Sequence, residues 1–157
     1  MNRPQSFGDF RCAHCHNIVS SAHLLSGVNN RNHCPYCLWS RHLDLYAAGD
    51  RLSACKAPMQ PVALTAKRSR NKYSHGRGEL MLVHLCMDCS EISINRIAAD
   101  DDAQTLLEVF NASLALPVRT KNLLLNNRIG ILPLESLPQL QLQLFGSETP
   151  LRQAEFA

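Results

Sequence analysis

The stretch "RNHCPYCLWSRHLD", residues 31–44, carries two cysteines, two histidines, two arginines and a tryptophan in one short run. Two chemistries compete for its "CPYC". A redox pair of the glutaredoxin kind needs a strand leading into it and a helix starting at it, so that the helix N-terminus lowers the first thiol's pKa. The lead-in here is "GVNNRNH", which has no strand pattern. A metal knuckle needs only a tight turn, and Pro35 stiffens one. The metal reading is the one that extends to the rest of the chain.

Two further pairs share the spacing: Cys12/Cys15 in "CAHC" and Cys86/Cys89 in "CMDC", with Cys55 alone. A Cys-x-x-Cys turn brings two sulfurs to one tetrahedral metal, and two turns complete a site. Seven cysteines fall one short of two sites, so a histidine is needed. His42 follows Cys37 by five residues and is expected to be that ligand; His33 adjoins Cys34, where neighbouring ligands are geometrically awkward. The expected cofactor is zinc, two ions. Two partitions are open. A sequential one groups Cys12, Cys15, Cys34 and Cys37, whose inner spacer of eighteen residues suits a ribbon. It leaves Cys55, Cys86 and Cys89 to find a histidine. An interleaved one groups Cys12, Cys15, Cys86 and Cys89, then Cys34, Cys37, His42 and Cys55. We prefer the interleaved one, because it uses His42 naturally and pins the ends of the module together.

The amino terminus has no apolar run, and nothing approaches eighteen consecutive apolar residues. A cytoplasmic, non-membrane protein is expected, and a reducing compartment favours metal ligands over disulfides. Aromatic residues are only 6% of the chain, so the core must rest on aliphatic side chains and metal. Charge is uneven. Residues 1–78 hold eleven Lys/Arg against three Asp/Glu, whereas residues 79–157 hold five against ten. A basic half points to a polyanion partner.

The fold class expected is α+β: a small zinc-ribbon-like module with short antiparallel strands over 1–102, then a helix-led extension over 103–157. "MQPVALTA" (59–66) reads as a strand placed at an edge by Pro61. "KRSRNKYSHGRG" (67–78) reads as a basic hairpin tip. "ELMLVHLC" and "EISINRI" read as two more strands. After an acidic N-cap, Ala103, Leu106, Leu107, Phe110 and Leu114 recur at helical spacing until Pro117. "LESLPQLQLQLFG" alternates at Leu140, Leu142 and Leu144, as a strand would.

"RNHCPYCLWSRHLD", with "FRCAHC" before it and "GDRLSACKAPMQPVAL", "HLCMDC" and "INRIAADD" after it, resembles the RNHCP-domain family, a small bacterial group. The resemblance covers roughly residues 7–115. It implies a zinc-binding module with ligand positions at the seven cysteines and histidines at His33 and His42. It says nothing of the basic loop or of the chain beyond about residue 115.

Eight sulfur-dominated ligands would close both sites, which favours structural over catalytic zinc, and no catalytic residue is nominated. The deaminase pattern, His-x-Glu with Pro-Cys-x-x-Cys, is missing. Asp44, in "HLD", would be a carboxylate supporting His42. The expected partner is RNA or the ribosome, contacted by Arg31, Arg41, Lys67, Arg68, Arg70, Lys72, Tyr73 and Arg77. The alternatives are a protein adaptor docking through 118–157, or a metal-dependent enzyme.

Overall fold

The computed structural model describes residues 8–67 and 78–146. A two-residue hairpin, β1 (Phe10–Arg11) with β2 (Ile18–Val19), precedes a short helix α1 (His23–Ser26). The main sheet is antiparallel, in the order β3 (Ser40–Arg41), β4 (Pro58–Lys67), β5 (Glu79–Cys86), β6 (Ile92–Arg96). Helices α2 (Ala103–Ser113), α3 (Val118–Asn126) and α4 (Leu137–Phe145) follow, with one turn of 3-10 helix at Leu134–Ser136. The fold is α+β, as the sequence predicts.

Strand β5 is an apolar run because it is covered on both faces. Leu82 joins Leu64, Leu38, Leu106, Leu107, Phe110 and Leu140 on the side of α2 and α4. Val83 joins Val62, Ala63 and Leu124 on the side of α3. Pro61 marks where the β4 register slips: Pro61 pairs with His84 but Ala63 with Val83. The bulge lets Val62 and Ala63, adjacent in sequence, serve the same cluster. The expected edge position is realised in part. β3 pairs with only the first two residues of β4, and Thr65 is bridged to Ile131 farther along.

Asp102 caps α2, accepting a hydrogen bond from the Thr105 backbone at 2.9 Å, and the predicted face is buried at Leu106, Leu107 and Phe110. On either side of residue 102, Leu38, Leu64 and Leu82 share one cluster with Leu106, Leu107, Phe110 and Leu140. The strand expected from "LPQLQLQLF" is instead the helix α4. Leu137, Leu140 and Leu144 also fit a helical face, and Leu and Gln are good helix formers with no β-branching. Gly146, at φ +72°, closes it with a left-handed cap. Helix α3 has no helical periodicity to announce it: its apolar residues cluster as "NLLLN", of which only Leu124 is fully buried. The segment expected to be a basic hairpin tip joins paired residues Lys67 and Glu79, but 68–77 lie outside the described residues. No helix among the described residues is long and apolar enough to cross a membrane.

Candidate metal centres

Three knuckles are built alike. The amide of Cys12 donates to the Asn17 carbonyl, that of Cys34 to Trp39 and that of Cys86 to Glu91, each five residues on, at 2.8–2.9 Å. The residue after the second cysteine turns left-handed each time: His16 at φ +65°, Leu38 at +65° and Ser90 at +64°. Cys55 sits in a fourth, partial version, followed by Lys56 at φ +51°. The Lys56 amide donates to the His42 carbonyl and the His42 amide to the Ala57 carbonyl, at 3.1 and 2.9 Å, so His42 and Cys55 are held side by side.

These turns converge on two clusters: Cys12, Cys15, Cys34 and Cys37, and His42, Cys55, Cys86 and Cys89. Within each, all four donor atoms lie within 4.8 Å of one another. In the first, Cys12 and Cys37 Sγ are 3.5 Å apart, and Cys15 and Cys34 Sγ 3.6 Å. In the second, Cys55 and Cys86 Sγ are 3.7 Å apart, and Cys89 Sγ lies 3.3 Å from His42 Nδ1. A tetrahedron with metal–sulfur bonds of about 2.3 Å has sulfur–sulfur edges of about 3.8 Å, so both clusters fit a four-coordinate ion and are consistent with zinc. The partition is the sequential one. The interleaved grouping is corrected: pairing of β3 with β4, and of β4 with β5, lays His42 and Cys55 beside the end of β5 where Cys86 stands.

The thiols are poised unequally when protons, not a metal, occupy them. Burial opposes ionisation of Cys15, but hydrogen bonds from the backbone and side chain of Asn17 outweigh it and bring the thiol to about 7. Burial likewise opposes ionisation of Cys86, and the Cys89 and Asp88 amides bring it to about 7. Burial pushes Cys34 up to about 11 and also raises Cys37. Burial, reinforced by Cys86 and Cys55, pushes Cys89 up to about 11. Four clustered thiols cannot all ionise alone; a divalent ion removes that penalty and releases protons on binding.

The motif beside Cys34 does something the sequence did not suggest. Arg31 is buried and grips Asp100 with two bonds, at 2.8 and 2.7 Å. His33 Nε2 meets Asp101 Oδ2 at 2.7 Å, and the Pro35 carbonyl accepts from the Asp102 amide at 2.9 Å. Three alternate residues of the motif thus answer three consecutive aspartates at the start of α2. Asn32, facing the other way, donates to Asp44 at 3.1 Å and accepts from Arg51. The expectation that Arg31 grips a partner is corrected: its side chain is 1% exposed and its charge is met internally by Asp100 and Asp101. His33 is likewise a lock and not a ligand. Asp44 does not support His42; it accepts from Asn32, Gly49 and Arg51. The acid run 100–102 beside a lone arginine motif was the available clue.

Of the remaining nominated contacts, the two that are described, Arg41 and Lys67, do not share a patch. Arg41 is exposed near the centres, while Lys67 lies at the far end of β4, nine residues and about 30 Å from Pro58 at 3.3 Å per residue. Arg68, Arg70, Lys72, Tyr73 and Arg77 lie outside the described residues.

Fold and clusters together define a small α+β metal-binding module of the zinc-ribbon kind. The model of the RNHCP domain matches residues 7–107, and the chain belongs to that family. No curated protein and no solved structure matches it.

Proposed function

We propose that this is a non-catalytic RNA-binding protein, made rigid by two zinc ions. Four protein donors at each cluster complete a tetrahedron and leave no position for a substrate or water, the arrangement of structural zinc. Thiolate coordination would stabilise the knuckles and hold their loops in one conformation. The observation that carries the RNA reading is charge. With Arg31 withdrawn, Arg11, Arg41 and Lys56 remain exposed at the metal-binding end, within a half of the chain whose basic excess is eight. Ribosomal particles are the most abundant assembly offering such a partner.

The test is sedimentation of tagged protein from native lysate at low and moderate salt, with and without RNase. Comigration with ribosomal particles that is lost to RNase or to salt is the expected result. Migration as a free species under every condition would discard the RNA reading in favour of an adaptor that docks through 118–157.

A further inference from the structure

Beside the first centre lies a small cleft of about 130 Å³, mostly apolar. Phe10 and Pro58 line it together with His14 and Trp39, and Arg11 and Arg41 stand in its wall. The His14 and Trp39 rings are stacked, centroids 4.2 Å apart and planes 6° from parallel. That is the geometry of successive bases in a strand, already assembled from side chains. His14 is carried by the first knuckle and Trp39 closes the second, so the turns that assemble the first cluster hold both rings.

The cations are arranged to match. Arg41 donates through Nε and Nη2 to the Lys56 carbonyl, both at 3.3 Å, which orients the guanidinium and leaves Nη1 without a partner among the described residues. Arg11 is exposed and makes no ion pair among the described residues. An apolar slot with a stacked aromatic wall, flanked by two arginines, has the chemistry of a base with its neighbouring phosphates. The slot is too small for a helix, and a duplex keeps its bases out of reach.

We infer that this cleft takes one unpaired base of a single-stranded RNA, extending the His14–Trp39 stack, with Arg11 and Arg41 on the flanking phosphates. The inference rests on the RNA reading above and gives it a site. Binding would depend on metal at the first centre and would be sequence-tolerant, because every base has a flat face.

Trp39 is the chain's only tryptophan, so its emission reports on the cleft alone. The experiment titrates the zinc-loaded full chain with a labelled oligoadenylate of about ten nucleotides, following Trp39 emission and label anisotropy together, with AMP in parallel. Quenching and anisotropy with one midpoint are expected, and AMP should be far weaker. His14→Ala and Arg41→Gln, both at exposed positions, should each weaken binding about tenfold with zinc content unchanged. If anisotropy rises while Trp39 emission and both variants stay as wild type, the cleft is wrong and the RNA reading survives. Equal midpoints for AMP and the oligomer would overturn the strand contact in favour of a free nucleotide. No response to RNA in either signal would remove the RNA reading itself.

Discussion

The two metal centres are made from the same turns but embedded differently. The first has four sulfurs, and Cys12, Val19 and Cys34 form their own small cluster, with Phe10 against it. The second has three sulfurs and a histidine, and hangs on the end of the main sheet through Cys86, the last residue of β5. With a divalent ion, four thiolates leave a net charge of −2, whereas three thiolates and a neutral imidazole leave −1. Cys89 at the second centre is exposed, while Cys12 and Cys34 at the first are buried. The first cluster packs with a small core of its own, and the second sits at the end of the main sheet.

The sharpest way to break that contrast is to remove a ligand from each. Cys34→Ser should release the first ion and unfold residues around β1 and β2, because structural zinc contributes about 10–16 kcal/mol in such modules. Cys89→Ser should lower zinc from two ions to one and loosen the loop between His42 and Cys55, yet keep the amides of β4 and β5 protected. Zinc stoichiometry with hydrogen exchange measures both. Under a chelator, wild type should release zinc in two phases, the second centre first, since it is the more exposed. Equal loss of sheet protection in the two variants would show that the centres are one cooperative unit.

Next in size is the lock between the signature motif and α2. Arg31→Ala removes the cation from fully buried Asp101 and from Asp100, whose side chain is 30% exposed, a loss of up to about 3–5 kcal/mol. Denaturant unfolding of the zinc-loaded protein checks it. Zinc content should stay at two, because no ligand is touched. A variant that folds as wild type but loses RNA would restore Arg31 to the partner surface.

His84 connects the first centre to the sheet and gives a smaller, pH-dependent effect. Asn95 donates to its Nδ1 at 2.8 Å, so Nε2–H donates to the Leu38 carbonyl at 2.6 Å. Burial, aided by nearby His33, lowers its pKa from 6.5 to about 3. The folded value lies below the unfolded one. Its stabilisation is therefore complete above pH 6.5 and is lost as pH falls toward 3, by about 2 kcal/mol between pH 7 and 5. Side-chain ¹⁵N spectra at pH 5 should show a neutral ring protonated on Nε2. A protonated imidazole at that pH would mean the link between knuckle and sheet is open.

How much of this could be read from the chain alone follows the range of each interaction. The Cys-x-x-Cys turns, the α2 face and the β5 run are local patterns, and the eight donors are visible as a count. Their grouping is not local. It depends on Ser40 pairing with Met59 and Met59 with Cys86, a register that only the closed sheet fixes. Arg31 misleads for the same reason: a basic residue beside a knuckle resembles a surface contact until Asp100, 69 residues on, is folded against it. In α4 the leucine–glutamine alternation satisfied two periods at once, and burial of Leu140 beneath α2 selected the helical one.

The smallest effect is the most discriminating between the centres. Each knuckle turns through a left-handed residue that is not glycine, a conformation that costs an L-residue about 1–2 kcal/mol. At the second centre these residues, Lys56 and Ser90, are exposed, so nothing but the backbone is at stake. Ser90→Gly and Lys56→Gly should each raise stability by about 0.5–1 kcal/mol, part of the relief being returned as unfolded-chain entropy. At the first centre the equivalent Leu38 is fully buried among Leu64, Leu82 and Phe110. Leu38→Gly should relieve the same strain and yet destabilise by about 2–5 kcal/mol, because it empties a core position. Opposite signs at one backbone conformation would show that the second knuckle is anchored through its side chain and the third through its metal. Should Ser90→Gly also destabilise, the left-handed turn is not strained there, and Ser90 has a contact of its own to lose.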